Sequence, residues 1–169
     1  MKNTLRTFLG LIALAFISSA SAKEKAYPEQ DPVLKYTVPA GWTLADGDAD
    51  FTILTSKSGR VTAKFTAIPL DASMSVFKDE FEAVKKIQGL EGIKVISAPK
   101  RDTTNGLTSI FGAYDGKIGK TPYEFTLLLF NGGKGQSILC TLSTKNSATL
   151  SDTDKNGYDT FMASMKAHK

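Results

Sequence analysis

Thr104–Ser143, TNGLTSIFGAYDGKIGKTPYEFTLLLFNGGKGQSILCTLS, is the stretch on which the fold turns. It opens on Asn105-Gly106, a dipeptide suited to a tight hairpin because both residues tolerate positive φ. Leu107–Tyr114 reads as a strand, Asp115–Lys120 as a glycine-bearing turn, and Tyr123–Asn131 as the next strand. After the glycine-rich turn Asn131-Gly132-Gly133-Lys134-Gly135, Ser137–Ser143 closes the set. A strand at about Ile93–Pro99 leads in, so short connections join four successive strands into an antiparallel meander.

Toward the N-terminus the period changes from two to 3.6. Between Asp71 and Gly89, Phe77, Phe81, Val84 and Ile87 form an apolar stripe while Lys78, Glu82, Lys85 and Lys86 lie elsewhere, which predicts a helix. Asp71 or Ser73 caps its start and Gly89 ends it. Before it, Phe51–Thr55 and Arg60–Ile68 form a hairpin about Ser56–Gly59, with Val61, Ala63, Phe65 and Ala67 on one buried face. Val33–Val38 is a further strand, ending at the corner Pro39-Ala40-Gly41-Trp42, where the indole plugs the end of the core. Residues 23–32, polar and with two prolines, read as a flexible lead-in without a regular element.

Toward the C-terminus, Tyr158, Phe161, Met162 and Met165 stand at i, i+3, i+4 and i+7, one face of a closing helix. Lys166, His168 and Lys169 at its end suit the helix dipole. The expected fold is α+β: one domain over residues 33–169, an antiparallel sheet of about six strands with the middle and C-terminal helices packed on it.

The opening of the chain concerns destination rather than fold. Lys2 and Arg6 precede the apolar run Phe8–Ile17, and Ala20-Ser21-Ala22 follows, the order of a secretory signal cleaved after residue 22. The run is too short for a spanning helix, which wants about 20 apolar residues. Nor is any later segment long enough, since Phe125–Phe130 covers only six residues, so no stable membrane insertion is expected after cleavage. Removing Lys2 and Arg6 from the 21 basic residues leaves 19 against 17 acidic ones, a balance too mild for nucleic acid. The expected location is periplasmic or secreted.

Catalytic chemistry finds little to work with. His168 is the sole histidine and lies next to the terminus, which removes Ser-His-Asp and Cys-His hydrolases and histidine zinc sites. Cys140, the sole cysteine, keeps step with Ile138 and Leu142 and faces the core as a small hydrophobe. Gly119-Lys120-Thr121 resembles the end of a phosphate loop, but Tyr114 stands where its first glycine belongs. Asp46, Asp48 and Asp50 alternate before a strand, a pattern more often solvated than metal-bound. The strongest candidate is Asp152-Thr153-Asp154-Lys155-Asn156-Gly157, where Asp152, Asp154 and Asn156 occupy calcium-loop positions 1, 3 and 5 and glycine position 6. Its second half fails, because Ala163 stands where the closing glutamate belongs and Asp159 where an apolar residue belongs. The competing reading is an acidic helix entry that satisfies free N–H groups.

The order of elements, with Tyr36-Thr37-Val38-Pro39-Ala40-Gly41-Trp42 as the strand-to-corner motif and Tyr158–Lys166 as the final helix, resembles the PsbP-like superfamily of Mog/PsbP/DcrB type. The resemblance covers nearly all of the chain after the signal and carries no catalytic signature. It implies a non-enzymatic binding or accessory domain, here of the bacterial envelope, whose partner is an envelope protein or a cell-wall component. The alternative is a calcium-dependent binding or stability module built on Asp152, Asp154 and Asn156. No other cofactor is expected.

Overall fold

The computed structural model describes residues 22–46, 51–133 and 135–168. The proposed signal therefore lies outside the described residues except for Ala22, and so do Asp48 and Asp50 of the acidic trio. In chain order the strands are β1 (Lys23–Tyr27), β2 (Leu34–Val38), β3 (Thr43–Asp46), β4 (Phe51–Thr55) and β5 (Val61–Ile68). Helix α1 (Met74–Gln88) separates these from β6 (Leu90–Thr104), β7 (Leu107–Ile118), β8 (Thr121–Gly133) and β9 (Gln136–Lys145). Helix α2 (Asp152–Ser164) and the short strand β10 (Lys166–Ala167) complete the described chain.

The meander forms in the expected order. It is the larger part of a seven-stranded antiparallel sheet ordered β3-β4-β5-β9-β8-β7-β6. Asn105 and Gly106 take φ of 53° and 76° and join β6 to β7, so the dipeptide makes the tight turn its chemistry favours. The next turn is narrower than Asp115–Lys120, because β7 continues to Ile118 and only Gly119 and Lys120 separate it from β8. The run Phe125–Phe130 is buried throughout because β8 is covered on both faces. Phe125, Leu127 and Leu129 join the core on the α1 side, and Leu128 and Phe130 the core on the α2 side.

Ser73 caps α1, its hydroxyl accepting from the Val76 N–H at 3.2 Å, and Gly89 closes it at φ 63°. Phe77 is fully buried, with Phe81 and Val84 packed beside that core. Ile87, expected on the same stripe, is 80% exposed: it lies in the last turn, where Gly89 reverses the chain into the edge strand β6.

Two expectations at the chain ends need correction. Residues 23–27 of the lead-in form β1, pairing with β2 from Lys23↔Val38 to Tyr27↔Leu34. Tyr27 supplies the reason, for its ring is buried and stacks on Phe65 at 5.3 Å between centroids. Lys166 is no helix-end cation. The chain leaves α2 at Met165, β10 pairs with β2, and the Lys166 ammonium binds Glu24 at 2.7 Å. The described residues hold ten strands against the about six expected; the unexpected ones are β1 and β10 of the small sheet β1-β2-β10 and β3 at the edge of the large one.

Candidate functional site

Helix α2 is fastened to the sheet at three places. At its start, the Ser151 hydroxyl accepts from the Asp154 N–H at 3.1 Å, and the Asp154 carboxylate accepts from the hydroxyls of Ser151 and of Ser58 in the β4–β5 turn. In the middle, Gly157 passes under Trp42 so closely that a Cβ would lie 2.6 Å from the indole Nε1. One turn on, fully buried Phe161 meets the rings of Phe65, Tyr36 and Trp42 at centroid distances of 5.9, 6.0 and 6.1 Å. At its end, the Asn105 amide donates to the carbonyls of Ala163 and Met165 at 3.2 and 3.1 Å.

These contacts recast the calcium-loop residues. Residues 152–158 are helix, not loop, so Asp152 and Asp154, two apart, point about 200° from one another. Asp154 is buried and held by two serines, whereas Asp152 and Asn156 are exposed. The three oxygen donors do not converge, and the acidic helix entry describes them. Gly157 has a packing role, as the seat of the indole. Trp42 is half-buried and stacked on Phe161, the core plug expected of it. Cys140 is fully buried, and desolvation pushes its thiol far above the ordinary range, which keeps it protonated and unreactive.

Beyond Phe161, Met165 is still buried in the core, but Met162 is only half-buried and α2 does not close fully onto the sheet. Met162 and Met165 form one wall of a cleft of about 230 Å³ whose floor is the outer half of the meander. The hairpin register lays this floor out in rows. Lys100 lies opposite Phe111, which lies opposite Leu128; Asp102 lies opposite Ser109, which lies opposite Phe130. Each row begins charged at the open edge and becomes apolar inward, continuing to Cys140 and Ile138 in the closed core. Thr104 and Leu107 floor the end next to Asn105. The Asp102 Oδ1 accepts from the Thr103 N–H at 2.8 Å, whereas Lys100 makes no ion pair among the described residues.

The sequence reading placed Met162 and Met165 on the buried helix face and did not single out Lys100, Asp102 or Thr104. The signal was available, since folding the chain about Asn105-Gly106 pairs Thr104 with Leu107, Asp102 with Ser109 and Lys100 with Phe111. What that hairpin cannot reveal is where α2 stops covering it. A second hollow of about 540 Å³, more open, lies at the opposite end of β7 and β8 among Lys94, Asp115, Lys117, Tyr123 and Asn146. Its lining includes Pro122, Tyr123 and Ala148 but no Leu, Phe or Met.

No family model and no curated protein matches the chain by sequence. Solved structures do match in shape. The PsbP (CyanoP) of Synechocystis sp. PCC 6803 superposes at a TM-score of 0.61 and 14% identity, over 94% of this chain and 99% of that one. LpqN of Mycobacterium tuberculosis, described as involved in cell envelope biogenesis, gives 0.55 and 12% over 88% and 92%. A protein of Bacteroides thetaiotaomicron VPI-5482 gives 0.54 and 11% over 88% of this chain, which spans 49% of that longer one. At these identities the likeness is one of architecture, and the architecture of this chain is the PsbP-like α+β fold.

Proposed function

We propose that this protein is an exported, non-enzymatic accessory domain of the bacterial envelope that binds an envelope protein or cell-wall component through the cleft beneath α2. The observation that carries the reading is the cleft itself: a concave apolar floor with a charged rim, the usual form of a binding site. Export rests on residues 1–22, with their charged, apolar and small-residue order. Among the described residues no helix is long and apolar enough to cross a membrane, in keeping with a domain that works beside one. The architecture shared with LpqN, a protein of envelope biogenesis, supports the placement by analogy of fold. Binding rather than turnover suits a site whose nearest thiol, Cys140, lies sealed behind Leu128 in the same row.

A photo-crosslinking residue at Thr104, on the cleft floor, tests this in intact envelopes. It captures a discrete partner, and the capture disappears when Met162 is replaced by Glu. Equal capture from Lys57, in the β4–β5 turn, or capture indifferent to Met162→Glu, overturns the reading.

A further inference from the structure

If the cleft is the binding site, as the proposed function requires, three observations narrow its occupant to a ligand class. The edge strand resists an added peptide strand, because β6 breaks register between Glu91 and Lys94, between Val95 and Ser97, and between Ser97 and Lys100. Farther on, the Thr103 N–H is already taken by Asp102. A volume of about 230 Å³ is below the roughly 300–1,000 Å³ of drug-sized sites, so it admits one narrow chain rather than a two-chain lipid or a helix. The polarity is graded, from the ammonium of Lys100 over Phe111 and Leu128 to Met162, whose flexible thioether moulds to an irregular chain.

We propose that the envelope component held in the cleft is a single-chain anionic amphiphile, for which a medium-chain carboxylate in monomeric form is the probe. The carboxylate sits at Lys100 and the hydrocarbon runs inward across Phe111 and Leu128 to the methionine wall. The rim carries one charge of each sign, and neither Lys100 nor Asp102 has an ion-pair partner among the described residues; Asp102 is held by the Thr103 N–H, which leaves the Lys100 ammonium the freer of the two to meet an incoming charge.

Methionine methyl groups supply the readout. Residues 23–169 contain Met74, Met162 and Met165, of which Met74 opens α1 on the other face of the sheet. With ¹³C-methyl methionine in that chain, decanoate below its micellar concentration shifts Met162 and Met165 saturably and leaves Met74 unmoved. Each methylene that stays in the cleft tightens binding about fourfold, so decanoate surpasses octanoate and hexanoate in that order. Lys100→Gln weakens decanoate about threefold to fivefold, the range of a partly exposed ion pair. Equal affinity for decyltrimethylammonium, or methyl shifts only with anionic phospholipid vesicles, overturns the assignment. So does a decanoate response that moves all three methionines together. If decanoate fails while Thr104 still captures a partner that depends on Met162, the ligand class is wrong and the accessory-domain reading survives. If both fail, the cleft is not the site.

Discussion

The two faces of the seven-stranded sheet are each crossed by one helix, and the helices fit differently. Under α1 the contacts are ring on ring and ring on bare backbone. Phe81 stacks on Tyr114 at 4.1 Å between centroids, and Phe77 descends on Gly112, where a Cβ would come within 2.9 Å of the Phe77 ring. Under α2 the same style of contact runs from Gly157 beneath Trp42 to Phe161 among three rings, in the last turn of the helix. Past that point the wall is methionine and the floor stays partly open. The lesson lies in side-chain shape: rigid rings over glycine fill space to interior density, whereas thioethers at a helix end leave room that a ligand can use.

The contrast is testable, beginning with the largest effects. Phe77→Ala and Phe161→Ala each remove a fully buried ring and should cost about 3–5 kcal/mol by denaturant unfolding. A much smaller loss for Phe161→Ala would mean that the α2 face is loose along its whole length and the contrast is false. Asp154→Asn weakens a buried carboxylate's bonds to two serines and should cost about 1–3 kcal/mol, with Ser58→Ala recovering part of that coupling in a double-mutant cycle.

Gly157→Ala poses a competition of terms. Helix propensity gains about 1 kcal/mol, whereas the contact with the indole costs about 1–3 kcal/mol, so a net loss is expected and Trp42→Phe should relieve it. A net stabilisation would show that Trp42 can move aside and that α2 is no tighter at its middle than at its end. Asn105→Gly keeps a residue suited to the turn but loses the amide bonds to α2; the expected cost is about 0.5–1.5 kcal/mol. Met162→Ala is the smallest change, below about 1 kcal/mol, because the side chain is only half-buried. A cost near that of its neighbour Phe161 would remove the cleft from the picture.

Alkaline pH examines the closed end of the same rows. The Cys140 thiol is raised by burial, so the folded state stays protonated while the unfolded chain ionises. Its contribution is complete below the unfolded thiol value of about 8.5 and declines as pH rises above it, by about 1.4 kcal/mol per unit. Cys140→Ala should remove that part of the slope, and the native thiol should resist aromatic disulfide reagents until the protein unfolds. Rapid native labelling would mean that the cleft communicates with Cys140 past Leu128.

Much of this architecture could be read from local patterns. Asn105-Gly106 specified a turn, Tyr123–Asn131 a strand, and Gly89 the end of α1 with Ser73 one of two candidates for its start, because backbone preference and side-chain period act over a few residues. Asp152-Thr153-Asp154-Lys155-Asn156-Gly157 shows where such reading stops. The same letters suit half a calcium loop or the first turns of a helix, and only Ser58 and Trp42, roughly a hundred residues away in sequence, decide for the helix. The lead-in is a second case, since Lys23–Tyr27 has little strand pattern of its own and is ordered by Tyr27 reaching Phe65.

By itself the sequence determined the α+β class, the meander, the span of α1 and the burial of Cys140, all consequences of period, turn chemistry and the hydrophobic effect. The tertiary structure alone decided that β1 joins the small sheet, that Gly157 seats an indole, and that Lys100, Phe111, Leu128 and Met162 meet around one cleft. The physical reason is range: local propensities are set within a turn or two of chain, whereas a cavity exists only where elements distant in sequence come together and stop short of filling the space between them.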